Sequence, residues 1–379
     1  MLDPLKTYCA LRSCGVDFFT GIPDSLLKDF CACITELSDE REHIIAANEG
    51  GSIALATGHH LATGKCPLVY LQNSGLGNTV NPLLSLADKA VYSVPMLLMI
   101  GWRGQPGVKD EPQHVRQGEV TLQMLEGMGV TTLVLPSDEE QALRLIEKGY
   151  AEAVKKSQPV ALLVPKALFA PFVTKKIENS KIESDFLREQ ALEIITTWAS
   201  RQSAIVATTG KTSRELFELR EKNEVDRHKQ DFLSVGSMGH CSQIALGIAL
   251  SQSEREVICI DGDGAALMHM GGMALIGQSG ARNFIHIIIN NGAHESVGAQ
   301  PTVALNLDLP MLGKSLGYGV AFSCSDAENL KSLLPRLDQR SGPVLLEVQV
   351  VTGSREDLGR PTLTPLENKR AFMDHLQEN

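Results

Sequence analysis

The chain has 379 residues, 43% of them hydrophobic and 21% charged, with a formal net charge of −10. That length accommodates two α/β domains of ordinary size, and an acidic balance without any basic run argues against nucleic acid or an anionic membrane as partner. No apolar run reaches membrane-spanning length, Met1-Leu2-Asp3-Pro4 does not read as a signal peptide, and Cys9, Cys14, Cys31, Cys33, Cys66, Cys241, Cys259 and Cys324 form no CxxC pair, so a reduced, cytoplasmic protein is expected.

Residues 1 to about 167 alternate apolar strand candidates with helix candidates. The strands are expected at 17–21, 43–47, 67–72, 95–101, 131–135 and 160–164, with helices at 25–37, 50–62 and 139–156. Such alternation implies a parallel sheet covered on both faces. The turns after the strands hold the polar residues. Gly21-Ile22-Pro23-Asp24-Ser25 follows the first strand, and Asn48-Glu49-Gly50-Gly51 follows the second. Gln72-Asn73-Ser74-Gly75-Leu76-Gly77-Asn78 makes a Gly-rich turn after the third. Residues 102–118, WRGQPGVKDEPQHVRQG, follow the fourth and read as a loop carrying Arg103, Lys109, His114 and Arg116. Loops on a rigid sheet are where binding residues concentrate. The Lys-, Glu- and Ser-bearing stretch 168–189 reads as a linker.

The alternation resumes with strands expected at 204–207, 232–235, 257–260, 284–289, 319–322 and 343–350. Thr209-Gly210-Lys211-Thr212 imitates a P-loop, but Ile205 stands where its first glycine belongs. Gly236-Ser237-Met238-Gly239 closes the next strand. The richest unit is 257–293: a buried strand, Asp261-Gly262-Asp263-Gly264, a helix expected from about Ala265, a second strand, then Asn290-Asn291-Gly292. Asp263 and Asn291 thus stand at the carboxyl ends of neighbouring strands, where open α/β sheets collect ligands. A carboxylate, an amide oxygen and a nearby backbone carbonyl suit Mg²⁺ held against a phosphate. The glycines let backbone approach that phosphate, with the helix start facing it.

Gly262-Asp263-Gly264, the interval 265–289 and Asn290-Asn291, each led by a strand, closely resemble the thiamin diphosphate (ThDP) motif of the decarboxylase and acetolactate synthase superfamily. The resemblance implies an α/β fold with two parallel-sheet ThDP-binding domains. A pyrimidine-binding domain would span 1–167 and a diphosphate/Mg-binding domain 190–379, with no middle domain. It implies Asp263, Asn291 and the Ala293 carbonyl as Mg²⁺ ligands. Gly262, Gly264, Ala265, Thr209, Gly236 and Ser237 would line the cofactor, and Met238 would wedge under its bend. Glu49 would meet the pyrimidine N1′, Asn73 and Ser74 would contact pyrimidine or substrate, and His114 would transfer a proton.

The missing middle domain, the GIPDS loop, and the stretches 103–118, 208–215 and 353–368 look like the phosphonopyruvate and sulfopyruvate decarboxylases, closer to the phosphonate side. That branch implies conversion of 3-phosphonopyruvate to phosphonoacetaldehyde and CO₂. The substrate would be a small 2-oxo acid with a second anionic group, held by some of Asp24, Ser25, Arg103, Lys109, Arg355 and Arg360. The alternatives are sulfopyruvate as substrate, carboligation of acetolactate synthase type, and a non-catalytic ThDP-binding scaffold. A homo-oligomer with active sites at subunit interfaces is also expected.

Overall fold

Apolar runs too short for helices and bounded by turn residues build two sheets, each packed by helices on both faces. The computed structural model describes residues 1–173, 185–223, 225–337 and 342–378, so much of the expected linker at 168–189 lies outside the described residues. Two compact units result: Met1–Glu178 with Val297–Gln300, and Asn179–Ser296 with Pro301–Asn379.

The first unit contains β1 (Phe19–Gly21), β2 (His43–Ile45), β3 (Leu68–Gln72), β4 (Met96–Gly101), β5 (Thr131–Val134) and β6 (Pro159–Val164). They run parallel in the order β2-β1-β3-β4-β6-β5. Side chains alternate between two cores, as the strand period requires. Leu97, Met99 and Leu162 join Leu11, Phe30 and Ile146 on one face. Leu98, Ile100 and Leu163 join Ile53, Leu76 and Leu125 on the other.

The second unit contains β7 (Ala204–Ala207), β8 (Asp231–Leu233), β9 (Val257–Gly262) and β10 (Phe284–Asn290). Two short strands follow, β11 (Ala293–His294) and β12 (Gln300–Pro301), and then β13 (Val320–Cys324) and β14 (Val344–Gln349). Its six-stranded sheet has the order β13-β14-β10-β9-β7-β8. Read from the β8 edge, that is the strand order of the first unit.

Two expectations are corrected. Residues 102–118 are not one loop: a helix, Pro112–Gly127, begins inside them and carries His114 in its first turn. Pro112 starts that helix, because its missing N–H is an unpaired helix-end donor anyway. The helix expected from Ala265 is two, Asp263–Met268 and Gly271–Gln278. The break falls where Gly271-Gly272 weakens helix formation and the Gln243 side chain packs at Gly272. Among the described residues, no helix is long and apolar enough to cross a membrane.

Candidate active site

In the first unit the second βα turn sets the central carboxylate. Asn48 caps the helix Glu49–Thr63, its side chain accepting from Gly51 N at 2.8 Å. Glu49 therefore opens the helix, and it is only 6% exposed. Asn78 Nδ2 donates to Glu49 Oε2 at 2.7 Å, while Oε1 lies against Gly75, where any β-carbon would overlap it. Burial raises the Glu49 pKa above the usual carboxylate range, and the Asn78 hydrogen bond moderates the rise. Asn78→Ala removes that restraint. We expect the acidic limb of the pH–rate profile to move to higher pH and kcat to fall roughly tenfold; an unmoved limb would detach Asn78 from Glu49.

The neighbouring turns form one polar network. Arg103 grips Asp110 with Nε (2.7 Å) and Nη2, and donates from Nη1 to Ser25 Oγ at 2.8 Å. Burial works against the Asp110 charge, yet the Arg103 fork and the Gly104 N–H hold its pKa down to about 2. Asn73 spends its amide on the scaffold: Nδ2 donates to Arg103 O (2.8 Å) and Thr121 Oγ1 (2.9 Å), and Oδ1 accepts from Arg103 N (3.1 Å). Asp24 is fully buried, which raises its pKa, and it accepts from Gln72 Nε2 (2.5 Å) and Leu26 N (2.9 Å). Ser74 donates to Gln72 Oε1 at 2.7 Å. Lys109 is exposed. His114 is held down to about 4, by burial and then by Arg103, so it is neutral at pH 7; its Nδ1 is buried without a hydrogen-bond partner.

In the second unit the cofactor motif comes together around Gly264. A β-carbon there would meet the His294 ring at 2.7 Å and Met238 Cε at 3.4 Å, so only glycine fits. Gly262 lies beside Thr208, and Gly210 beside Ser296. This gathers the turns that carry Thr209, Gly236-Ser237-Met238, Gly262–Ala265 and Asn291–Ala293. Ser237 has φ +52, a strained left-handed geometry.

Asp263 opens its short helix and is 4% exposed. Its partners are the Thr302 hydroxyl and the N–H groups of Gly264 and Asn291, none of them cationic. Burial lifts its carboxyl to about 6. A buried carboxylate without a counter-charge is what a bound cation would complete. Asn291 Nδ2 donates to Glu295 Oε2 at 2.9 Å, which directs Oδ1 away from that carboxylate. Glu295 is fixed in turn by Arg188 (2.6 Å) and Lys211 (2.9 Å), and Arg188 also forks onto Glu215. With the Ala293 carbonyl, these oxygens fit Mg²⁺.

Two further cations were expected at the substrate, and the segment that carries the first is joined to the Glu295 network, because Lys211 donates to both Ser354 Oγ and Glu295 Oε1. Arg355 is bound by Glu189, Glu218 and Asp357, and Arg360 is exposed. Sequence reasoning missed Asn78, Thr302, His294 and Glu295. Three of them had a visible cue: Asn78 closes the Gly-rich turn after β3, and His294 and Glu295 stand beside Ala293.

Residues 8–134 match the thiamine pyrophosphate enzyme N-terminal TPP binding domain, and residues 208–348 match the C-terminal TPP binding domain. The chain belongs to the thiamine pyrophosphate enzyme family. It is 32% identical to the phosphonopyruvate decarboxylase of Streptomyces viridochromogenes, over 98% of this chain and 94% of that one. With the phosphonopyruvate decarboxylase of Streptomyces hygroscopicus the identity is 33%, over 100% and 95%. The sulfopyruvate decarboxylase of Methanococcus maripaludis is made of separate subunits. Its alpha subunit is 33% identical over 41% of this chain and 90% of its own length, its beta subunit 30% identical over 51% and 100%. This thiamine pyrophosphate enzyme therefore has both cofactor-binding domains in one chain, and its cofactor is ThDP.

Proposed function

We propose that this chain is a ThDP- and Mg²⁺-dependent decarboxylase converting 3-phosphonopyruvate to phosphonoacetaldehyde and CO₂. The observation that carries this reading is the full-length similarity to two phosphonopyruvate decarboxylases. When bound, ThDP supplies the carbon nucleophile and electron sink that decarboxylation of a 2-oxo acid needs. The chain supplies the rest. Glu49 would exchange a proton at the pyrimidine N1′, and burial raises its pKa, which favours the protonated form that such an exchange needs. Asp263, Asn291 and the Ala293 carbonyl would hold Mg²⁺, Thr209 and the Gly236-Ser237 turn would bind the diphosphate, and Met238 would pack against the cofactor. His114, held near pKa 4 by burial and then by Arg103, is a neutral ring at pH 7 and is our candidate for proton transfer.

Arg103, Ser25 and Asp24 are tied into the scaffold described above, and we assign them to shaping the substrate pocket. Lys109 stands on the same loop as an exposed ammonium able to meet the phosphonate. The assay is CO₂ release from 3-phosphonopyruvate with ThDP and Mg²⁺. Equal or greater release from sulfopyruvate would reassign the substrate, and acetolactate formed from pyruvate would reassign the reaction.

We further propose a homo-oligomer in which Glu49 of one chain and Asp263 and Asn291 of another complete each site. The cofactor has two ends needing different groups, and the Methanococcus maripaludis relative divides its chain into two subunits. Mixing a Glu49→Gln chain with an Asp263→Ala chain, with subunit exchange shown independently, should restore activity, because one hybrid site regains both groups. Demonstrated exchange without recovered activity would dismiss shared sites.

A further inference from the structure

In the core behind the cofactor motif, four side chains of metal-binding chemistry meet. On β9, Cys259 and Asp261 are two residues apart and so share a face. Register places His286 of β10 opposite Cys259, and the helix Cys241–Ser251 brings Cys241 onto the same face. Cys259, Asp261 and His286 have no exposed surface, and Cys241 is 2% exposed.

Two atoms in this cluster lack any hydrogen-bond partner: Asp261 Oδ2 and His286 Nε2. They face each other at 3.6 Å, too far for a hydrogen bond. Their remaining polar atoms are fixed from behind. His286 Nδ1 pairs with Tyr318 Oη at 3.0 Å, and Asp261 Oδ1 accepts from Gly262 N at 3.0 Å. A ring nitrogen anchored on the far side is the usual support of a metal-bound histidine. On the other edge, Cys241 Sγ lies 3.6 Å from Cys259 Sγ. Candidate ligand atoms of Cys259, Asp261 and His286 all fall within 4.8 Å of one another.

A tetrahedral zinc with ligands at about 2.0–2.3 Å has ligand-to-ligand edges of about 3.3–3.8 Å. Two of the six edges, thiol–thiol and carboxylate–imidazole, fall in that interval, and the Cys259, Asp261 and His286 atoms, within 4.8 Å of one another, would draw inward on binding. We propose that Cys259, Asp261 and His286 form a structural site for one thiophilic divalent cation of the Zn²⁺ class, and that Cys241, of these three now beside Cys259 only, turns in as the fourth ligand. Each thiol gives up its proton on binding, and Cys241 gives up its 3.3 Å contact with the Val206 carbonyl. Mg²⁺ does not compete, because it takes hard oxygens and avoids thiolates. Full burial means that the metal enters as the unit folds. The site would pin β9, β10 and the helix Cys241–Ser251 together two residues before Asp263, and so hold the strand end that presents the Mg²⁺ ligand. It does not depend on which 2-oxo acid the enzyme uses.

The test uses the full chain, expressed in zinc-supplemented medium and purified with ThDP and excess Mg²⁺. Elemental analysis is expected to find one zinc per chain, undiminished in Asp263→Ala and lost in Cys259→Ser and His286→Gln. Protein expressed with Co²⁺ instead is expected to show a thiolate-to-cobalt charge-transfer band and tetrahedral d–d bands. If the Cys259 or His286 variants fail to fold, the cobalt spectrum of the unmodified chain decides alone. Folded protein with only trace zinc and no cobalt–thiolate band would overturn the site. So would zinc that disappears in Asp263→Ala, which would assign it to the Mg²⁺ position.

Discussion

Glu49→Gln is expected to keep ThDP affinity within a few-fold and to lose turnover by about 10²–10⁴. The glutamine amide fills the same volume against Gly75 and can still pair with Asn78, so the pocket keeps its shape. What it lacks is an exchangeable carboxyl proton at N1′. Cofactor binding, read by quenching of intrinsic fluorescence, separates this loss from a collapsed site, and CO₂ release gives the rate. A variant with near-normal kcat would remove Glu49 from the chemistry.

Asp263→Ala is expected to abolish Mg²⁺-dependent ThDP binding while leaving the cofactor-free protein at least as stable as its parent at pH 7. The sign follows from the carboxyl. Burial raises it from 3.8 to about 6, so the unfolded chain gives up its proton first as pH rises. Without a cation, Asp263 therefore costs the folded state stability that grows between those values and is full above pH 6, on the order of 3 kcal/mol. Alanine removes that cost along with the metal ligand. Thermal unfolding without cofactor and ThDP titration with Mg²⁺ should move in opposite senses. A variant that unfolds early at pH 7, or that binds ThDP normally, contradicts the assignment.

The strands were legible because most are buried on both faces and appear as unbroken apolar runs. The helix at 139–156 was legible to the residue, since Asp138 caps it and Ser157 ends it in a left-handed turn. The cofactor motif was legible because its parts sit at strand ends, where sequence order and spatial order coincide. What supports the motif was not. Asn78 reaches Glu49 across 29 positions, and Arg188 reaches Glu295 across 107. Neither separation matches a helical or strand period, so local pattern carries no trace of them. Asn73 shows what sequence leaves out in the other direction: its place in a polar turn was visible, its bonds to the Arg103 backbone were not.

The shared strand order has a further consequence. Counted from β1 and from β7, the turn after the second strand carries Glu49 in one unit and Met238 in the other. The turn after the third carries Gly75 or Asp263, and the turn after the fourth carries Arg103 or Asn291. Two modules of one topology, with matching turns turned to different chemistry and no sequence repeat left between them, are what an ancient gene duplication followed by divergence produces. Each module closes its own core, so the reading frame can be broken between them without cutting a sheet. Gene fission at that point yields two polypeptides of the sizes seen in the alpha and beta subunits from Methanococcus maripaludis.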